Sequence, residues 1–254
     1  MTKLIAPYFP IIYVRGYAMT PNEVSATVST PYMGFNLGSV KARQAWDGRV
    51  KRHVFESPVI RLMKDYKYHD TYTNGTEISD RLPAKSIVIY RYYEEADNDL
   101  GAGNIPSIIE STIGLKKLIY KIREQVCGED KALLSQFKVH LVSHSMGGLV
   151  CRAFLQNDSI STLEDRKLVD KVFTYATPHN GIDMGGINVP SVLGLWDLNN
   201  FNRKNMAEYL DFGHTPHRVD SLDGKFDPQR FFLFCWHQSS RLRSSVRSVT
   251  SASR

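Results

Sequence analysis

Apolar and polar positions follow two alternating patterns along this chain. Short runs of apolar, β-branched and aromatic residues, typical of buried strands, lie at 10–14, 86–93, 137–142, 169–176 and 230–236. Between the second and third runs, the apolar residues from Ile109 to Val126 recur at the spacing of an amphipathic helix. Residues 149–156 form a second helical segment. Strands that are separated by helices, without hairpin signals, predict an α/β fold whose mostly parallel, doubly wound sheet carries helices on both faces.

Two longer segments interrupt this alternation. Residues 31–84 are polar and rich in tyrosine, and we expect one crossover with small local elements there. Residues 182–229, the covering segment, are rich in Gly, Asn and Pro and are expected to pass over the sheet edge. Five apolar residues of this segment recur at near-helical spacing: Trp196, Leu198, Phe201, Met206 and Tyr209. They fit either a lid helix over an apolar pocket or ordinary core packing.

The composition is that of an ordinary globular protein. The 254 residues are 42% hydrophobic and 11% aromatic, which excludes a disordered chain. Cys127, Cys151 and Cys235 form no close pair, which argues against a disulfide scaffold and favours a reducing, cytoplasmic compartment. No apolar run is long enough to span a bilayer, and the first residues show no signal-peptide pattern. We therefore expect no integral membrane association.

The basic charge is concentrated in one segment. The formal net charge is +6, yet residues 238–254 contain four arginines, seven serines and no acidic residue. The rest of the chain carries 28 basic and 26 acidic side chains and is therefore nearly neutral. Nucleic-acid binding through this tail remains an alternative, and it would show a steep dependence on salt. The predicted organisation is one α/β domain over residues 1–237, followed by a disordered Ser/Arg-rich tail.

The third strand run leads directly into the sequence Ser-His-Ser-Met-Gly at 143–147, and a helix follows. This is the arrangement of a nucleophile elbow, in which a sharp turn presents Ser145 Oγ at the carboxyl end of the sheet. The turn also aims the N–H of Met146 at the same point, above a helix N-terminus. Ser143 and Gly147 must be small because backbone segments nearly touch there. The alternative is a tight structural turn with a buried hydroxyl.

The first strand run ends at Arg15-Gly16-Tyr17, where a second oxyanion donor is expected. Glycine allows close approach of the backbone, and the N–H of Tyr17 would be the donor. A plain glycine turn is the alternative.

These motifs resemble those of bacterial lipases and esterases of the α/β-hydrolase superfamily. The resemblance rests on Ser-His-Ser-Met-Gly-Gly at 143–148 and Ala-Thr-Pro-His-Asn-Gly at 176–181, and on Val-Arg-Gly-Tyr at 14–17, where arginine replaces the common histidine. It covers roughly residues 8–181 and continues more weakly to 236. It implies Ser145 as nucleophile, the Tyr17 and Met146 amides as oxyanion donors, and an acid and a histidine after the later strands.

No histidine of the chain is placed as the catalytic base. His179 lies in the Thr-Pro-His-Asn-Gly turn, which by resemblance shapes the loop beside the site without supplying the base. His214 and His217, with Asp211 and Asp220, lack a recognised metal-ligand spacing, so no metal is expected. His237 follows the fifth strand run, where the resemblance places the acid. The last strand, the acid and the base are therefore all expected to be missing.

The genetic code suggests a reason for this absence. Trp236 is TGG and the codon of His237 begins with C, so reading one base later forces a glycine. The next shifted codons permit Thr and then Asn, and Gly-Thr-Asn is the sequence expected here in relatives. We hypothesise that residues after about Leu233 are translated out of frame from a longer, lipase-like gene. The sequence of that gene tests the idea, because an in-frame, full-length relative with this tail would contradict it.

The sequence therefore predicts a serine hydrolase of the lipase/esterase kind that needs no cofactor and acts on a small-molecule or lipid ester, without a nucleic-acid partner. With its acid and base missing, we expect weak or no turnover. The alternative is a non-catalytic hydrolase-fold protein that binds an acyl ligand or a protein partner. The oligomeric state does not follow from the sequence.

Overall fold

The computed structural model describes residues 4–16, 39–44, 47, 49–55, 58–71, 81–92, 94, 106–184, 187–188, 200–213 and 219–234. The strands are β1 Ile11–Val14, β2 Ser39–Gln44, β3 Val50–Phe55, β4 His69–Asp70, β5 Ser86–Tyr90, β6 Val139–His144, β7 Val169–Tyr175, β8 Asp183–Met184, β9 Ile187–Asn188 and β10 Phe231–Phe234. The helices are α1 Pro58–Tyr66, α2 Ile108–Cys127, α3 Lys131–Gln136, α4 Gly147–Gln156, α5 Leu163–Lys167 and α6 Arg203–Tyr209.

Six strands form one sheet in the order β10-β7-β6-β1-β5-β4. Every neighbouring pair in this sheet is parallel. The central strands are buried on both faces, as expected for a parallel sheet that helices cover on each side. The predicted α/β fold with a mostly parallel sheet is therefore confirmed.

Helices α2 and α4 pack on one face of this sheet. Leu115 and Ile119 of α2 and Leu149 of α4 join Ile12 and Val14 of β1 in the main apolar cluster. The other side chains of β1 point to the opposite face of the sheet and contact helix α1. Ile11 and Tyr13 pack there with Val59. Strand β1 thus contributes side chains to two apolar clusters, because successive side chains of a strand point to opposite faces of the sheet.

All five strand runs predicted from the sequence are strands of the sheet, although their bounds shift. β6 begins at Val139, because Phe137 caps the end of α3, and it continues to His144, which pairs with Tyr175. β5 ends at Tyr90, before the predicted end at 93. Within 31–84, the described residues contain the antiparallel hairpin β2–β3, helix α1 and the two-residue edge strand β4. These are the small local elements that we expected in this crossover.

The described parts of the covering segment join the main core. Phe201, Met206 and Tyr209 are buried in the same cluster as α2 and α4, so core packing is the correct interpretation for these three residues. Trp196 and Leu198 lie outside the described residues.

Strand β10 lies at one edge of the sheet and carries a row of stacked aromatic rings. Phe232 stacks on Phe173, with 4.7 Å between ring centroids, and Phe234 stacks on Tyr175 at 5.0 Å. The predicted Ser/Arg-rich tail and His237 lie outside the described residues, so the out-of-frame hypothesis stays a prediction. Among the helices that the structure describes, none is both long and apolar enough to cross a membrane.

Candidate active site

Ser145 occupies a sharp turn between β6 and α4, at the carboxyl edge of the sheet. Its φ is +52°, in the left-handed region that residues other than glycine rarely adopt. The backbone holds this conformation from both sides. The N–H of Ser145 donates to Tyr175 O at 2.8 Å, and its carbonyl accepts from the N–H of Gly148 at 3.1 Å. Strain maintained in this way is typical of a functional position, and the side chain of Ser145 is partly exposed.

Two glycines allow the end of β1 to lie against this turn. A Cβ on Gly147 would come within 2.3 Å of Val14 O, which is backbone and cannot move aside. A Cβ on Gly16 would lie 2.7 Å from Ser145 Cβ. The expectation that Gly147 must be small is therefore correct, and the segment that it nearly touches is the end of β1 rather than its own strand β6. Gly16 allows the close approach that the sequence predicted for it.

Ser143 stands where a glycine is common in such elbows, and the structure explains why serine fits. The side chain is fully buried, and its hydroxyl donates to Phe173 O on β7 at 3.3 Å. It also hydrogen-bonds the thiol of Cys151, whose pKa burial nevertheless raises to about 12. The buried hydroxyl thus has partners on both sides, so the departure from glycine leaves the turn intact.

The N-terminus of α4 offers unused hydrogen-bond donors next to Ser145. Met146 occupies the N-cap position, and no side chain caps the helix there. The N–H of Met146 has no acceptor within the part of the chain that the structure describes. A helix N-terminus with free N–H groups favours negative charge, as an oxyanion donor requires. The second predicted donor, Tyr17, lies outside the described residues.

Among the described residues, Ser145 Oγ has no hydrogen-bond partner, so they do not supply a catalytic base in contact with it. The neighbouring His144 is half-buried, and both burial and the nearby positive charge of Arg15 lower the pKa of its imidazole. Arg15 itself is buried at the end of β1. The structure therefore places a cation and a neutral imidazole near Ser145, a feature that sequence reasoning did not find.

His179 is a packed side chain rather than an accessible base. It is 8% exposed, its Nε2 lies 2.9 Å from Thr174 Oγ1, and its ring meets the edge of Phe231. Burial, together with the positive charge of Arg152, holds the pKa of His179 well below its usual value. These contacts agree with the expectation that the 176–181 turn shapes the site without supplying the base. Thr177 of this turn packs directly against Gly148 of α4.

Arg152 connects this turn, the covering segment and the helix behind Ser145. Its side chain is 2% exposed and donates to His179 O at 3.0 Å, Val219 O at 2.7 Å and Ser221 O at 2.8 Å. Its Nε donates to Gln156 Oε1 at 2.9 Å. Burial lowers the pKa of Arg152 to about 10, so it stays protonated at neutral pH. Sequence reasoning missed this residue, although a lone charge within the apolar run 149–155 was a visible signal.

The described residues contain no group of three or more His, Cys, Asp or Glu side chains that could hold a metal ion. His214 and His217 lie outside the described residues. Asp211 is exposed and accepts the N–H of Asp158 at 3.2 Å, so it has an ordinary structural contact.

Residues 63–188 match the family model of the PGAP1-like alpha/beta domain. No curated protein matches the sequence. Among solved structures, the chain is similar to a candidate cell surface hydrolase from Lactobacillus plantarum WCFS1, with 16% identity and a TM-score of 0.30 over 79% of this chain. It spans only 64% of that protein's length.

Two further solved structures are similar at low identity. The lin2722 gene product of Listeria innocua is 11% identical with a TM-score of 0.34, and the match covers 90% of this chain and 84% of the other. An acetyl xylan esterase is 9% identical with a TM-score of 0.31, and the match covers 80% of this chain and 95% of that esterase.

Proposed function

We propose that this chain is a serine hydrolase of the lipase/esterase type that acts on carboxylic esters, and the match of residues 63–188 to the PGAP1-like alpha/beta domain and the parallel sheet support this proposal. Ser145 is the nucleophile in this proposal. Its Oγ attacks the ester carbonyl, the alcohol leaves, and water then hydrolyses the acyl-enzyme to release the acid and regenerate the hydroxyl. The N–H of Met146 donates to the oxyanion of each tetrahedral intermediate, and the N–H of Tyr17 is the second donor.

The observation that carries the proposal is the left-handed backbone of Ser145 beside the uncapped start of α4. The φ of +52° places Ser145 in a sharp turn where its side chain is partly exposed, and the N–H of Met146 has no acceptor among the described residues. A tight turn with only a structural role would gain nothing from a strained serine, which costs about 1–3 kcal/mol. A nucleophile that must stand clear of the backbone gains exposure and an oxyanion donor at the same point.

Turnover by this chain is proposed to be weak, because no described residue supplies the general base. Without a base, the hydroxyl remains a poor nucleophile, and loss of a triad serine or histidine costs up to about a million-fold in kcat in a serine protease. The proposed location is cytoplasmic, which the unpaired and buried Cys127 and Cys151 support.

A fluorophosphonate probe tests the nucleophile directly. We expect Ser145 to be labelled faster than any other serine, as measured by mass spectrometry of its peptide, and Ser145→Ala to abolish this label. Ser135→Ala, which removes an exposed hydroxyl on α3, is the matched control and should change nothing. Labelling without preference for Ser145 would overturn the proposal.

Hydrolysis of a short-chain nitrophenyl ester tests the proposed impairment. We expect at most weak turnover by the unaltered chain. Robust hydrolysis that Ser145→Ala abolishes would support the nucleophile and contradict the missing base.

A second candidate is a non-catalytic protein of the same fold that binds an acyl ligand or a protein partner. The absence of a base in contact with Ser145 among the described residues favours it. Tight binding of a fatty acid that Ser145→Ala leaves unchanged, together with no selective labelling of Ser145, is the result that this candidate predicts.

A further inference from the structure

The outer face of α2 exposes large apolar side chains along one side of the helix. Ile109, Ile113 and Tyr120 are 44%, 40% and 41% exposed. Their spacing of four and seven residues places them on a single stripe of the helix surface. Soluble proteins normally scatter such side chains singly, and a contiguous exposed group marks an interaction surface.

Two lysines lie beside this stripe. Lys117 and Lys121 are exposed, and neither forms an ion pair with any residue that the structure describes. Like charges four residues apart on a helix repel each other and slightly destabilise it. The pair therefore does not serve the stability of α2, and its two charges remain available to a ligand. We call Ile109, Ile113, Lys117, Tyr120 and Lys121 the α2 outer face.

A groove of about 790 Å³ runs along this face. Its far wall includes Ser159 and Ile160 from the loop that follows α4. Ion pairing makes one side of the groove rigid. Lys116 Nζ lies 2.7 Å from Asp165 Oδ2 and donates to Ile160 O at 2.9 Å, and Tyr120 donates to the same carboxylate at 2.5 Å.

The acidic residues near the groove do not cancel its positive charge. Asp165 is neutralised by Lys116. Glu110 keeps its negative charge, and its carboxylate accepts the N–H of Ser107 at 2.8 Å within the cap of α2, outside the lining of the groove. Glu124 lines the far end of the groove, where Arg123 also lies. The lining of the groove thus holds four cationic side chains and one exposed carboxylate, so the positive charge of Lys117 and Lys121 is only partly offset.

The first turns of α2 are close to the edge of the sheet that carries Ser145. Tyr90, the last residue of β5, donates its hydroxyl to Ser111 O at 2.8 Å, and the hydroxyl of Thr112 lies 3.5 Å from Val150 O in the first turn of α4. Because β5 and β6 are parallel to β1, their carboxyl ends share one edge. The first turns of α2 therefore lie against the start of α4, the helix that follows Ser145.

We propose that the α2 outer face docks on a membrane surface that contains anionic phospholipids. Lys117 and Lys121 bind the phosphates of the headgroups, and Ile109, Ile113 and Tyr120 enter the boundary between headgroups and acyl chains. An apolar stripe flanked by lysines matches this interface in both charge and depth, and Tyr120 contributes the exposed part of its ring while its hydroxyl stays bonded to Asp165. The inference concerns binding alone and stands whether or not Ser145 is a nucleophile.

Vesicle co-sedimentation of the full chain tests the proposal. Vesicles of phosphatidylcholine are compared with vesicles that also contain phosphatidylglycerol. We expect binding to require phosphatidylglycerol, and the double variant Lys117→Gln/Lys121→Gln to weaken it about 25-fold, since each lysine near an anionic surface contributes roughly fivefold. The matched control is Lys64→Gln/Lys67→Gln, which removes the same charge from α1 and the residue after it on the opposite face of the sheet, and it should bind as the unaltered chain does.

The arginines of residues 238–254 are the main competing source of membrane binding. A variant with glutamine at Arg241, Arg243, Arg247 and Arg254 should keep the sensitivity to Lys117→Gln/Lys121→Gln. If the tail variant alone abolishes binding, the proposal is wrong. It is also wrong if both vesicle types bind equally, if the α1 control is weakened as much as the α2 variant, or if the chain binds inorganic phosphate through Lys117 and Lys121 without binding vesicles.

Discussion

Helices α2 and α4 pack side by side on the same face of the sheet, yet their first turns are built in opposite ways. Helix α2 begins with a complete capping box. Glu110 N–H donates to Ser107 Oγ at 3.1 Å, and Ser107 N–H donates to the Glu110 carboxylate at 2.8 Å. Helix α4 begins at Met146 without any side-chain cap, directly after a strained serine.

The N–H groups at the start of α2 are hydrogen-bonded by side chains of the same chain, whereas those at the start of α4 remain available to a ligand. A capped start has used its N–H donors and has little attraction left for an anion. The start of α4 keeps its donors and its positive dipole end. The bodies of the helices differ as well: every residue of α4 is buried, whereas α2 presents one side to solvent. Buried α4 therefore suits the proposed chemistry, and α2 suits surface contacts.

The largest expected effect is on the buried body of α4. We expect Arg152→Leu to lower the free energy of unfolding by about 3 kcal/mol or more, because the carbonyls of His179, Val219 and Ser221 lose their donor inside the protein. Urea denaturation measures this change. Lys117→Leu on α2 is the comparison and should change the unfolding free energy by no more than about 0.5 kcal/mol. Equal effects of the two substitutions would remove the contrast between the helices.

A smaller effect is expected from adding one methyl group to a glycine of each helix. Gly147→Ala should cost about 1–3 kcal/mol of stability, because its Cβ would press on the backbone of β1. Gly114→Ala in α2 displaces the hydroxyl of Tyr90 and costs its hydrogen bond to Ser111 O, about 1 kcal/mol, and the gain in helix propensity of about 1 kcal/mol offsets this loss. We therefore expect Gly114→Ala to be nearly neutral. Thermal unfolding of both variants checks the difference, and a clear destabilisation by Gly114→Ala alone would reverse the comparison.

The smallest effect concerns the cap of α2. Ser107→Ala should destabilise the protein by about 1 kcal/mol, because the N–H of Glu110 loses its acceptor. Ser107→Asp should restore most of this loss, since aspartate is also a good N-cap residue. Urea midpoints of the three proteins measure the series. If Ser107→Ala changes nothing, the first turn of α2 does not depend on its cap, and the contrast with α4 loses its energetic basis.

Much of the sheet was predictable from the sequence because its strands are continuous apolar runs. The run Ile-Ile-Tyr-Val of β1 is buried on both faces. In a chain of this length, a short apolar run of this kind has few alternatives to a buried strand of a parallel sheet. Strand β4 has only two residues, His69 and Asp70, and is too short for any pattern. The hairpin β2–β3 is predominantly polar, so its pairing also gave no apolar signal.

The sharp turn at Ser145 was predictable because the residues that form it are neighbours in the sequence. Ser145, its small neighbours and the following helix are adjacent in sequence, so the turn can be inferred from a few residues. The Arg152 network was not predictable, because its partners Val219 and Ser221 are 67 and 69 residues away. Tyr17 lies outside the described part of the chain, so its role stays a prediction. The acid and the base were expected to be missing and were assigned to no residue.

The contacts of Arg152 also affect how much the length of the segment between His179 and Val219 can vary. A single guanidinium holds His179 at one end and Val219 at the other, so about forty residues form a loop whose ends are already closed. Loop-closure entropy grows only logarithmically, and each doubling of loop length costs about 0.6 kcal/mol. Insertions between His179 and Val219 should therefore cost little free energy of folding, as long as the described helix α6 keeps its packing. The turn at Ser145 would keep its structure when the length of this segment changes.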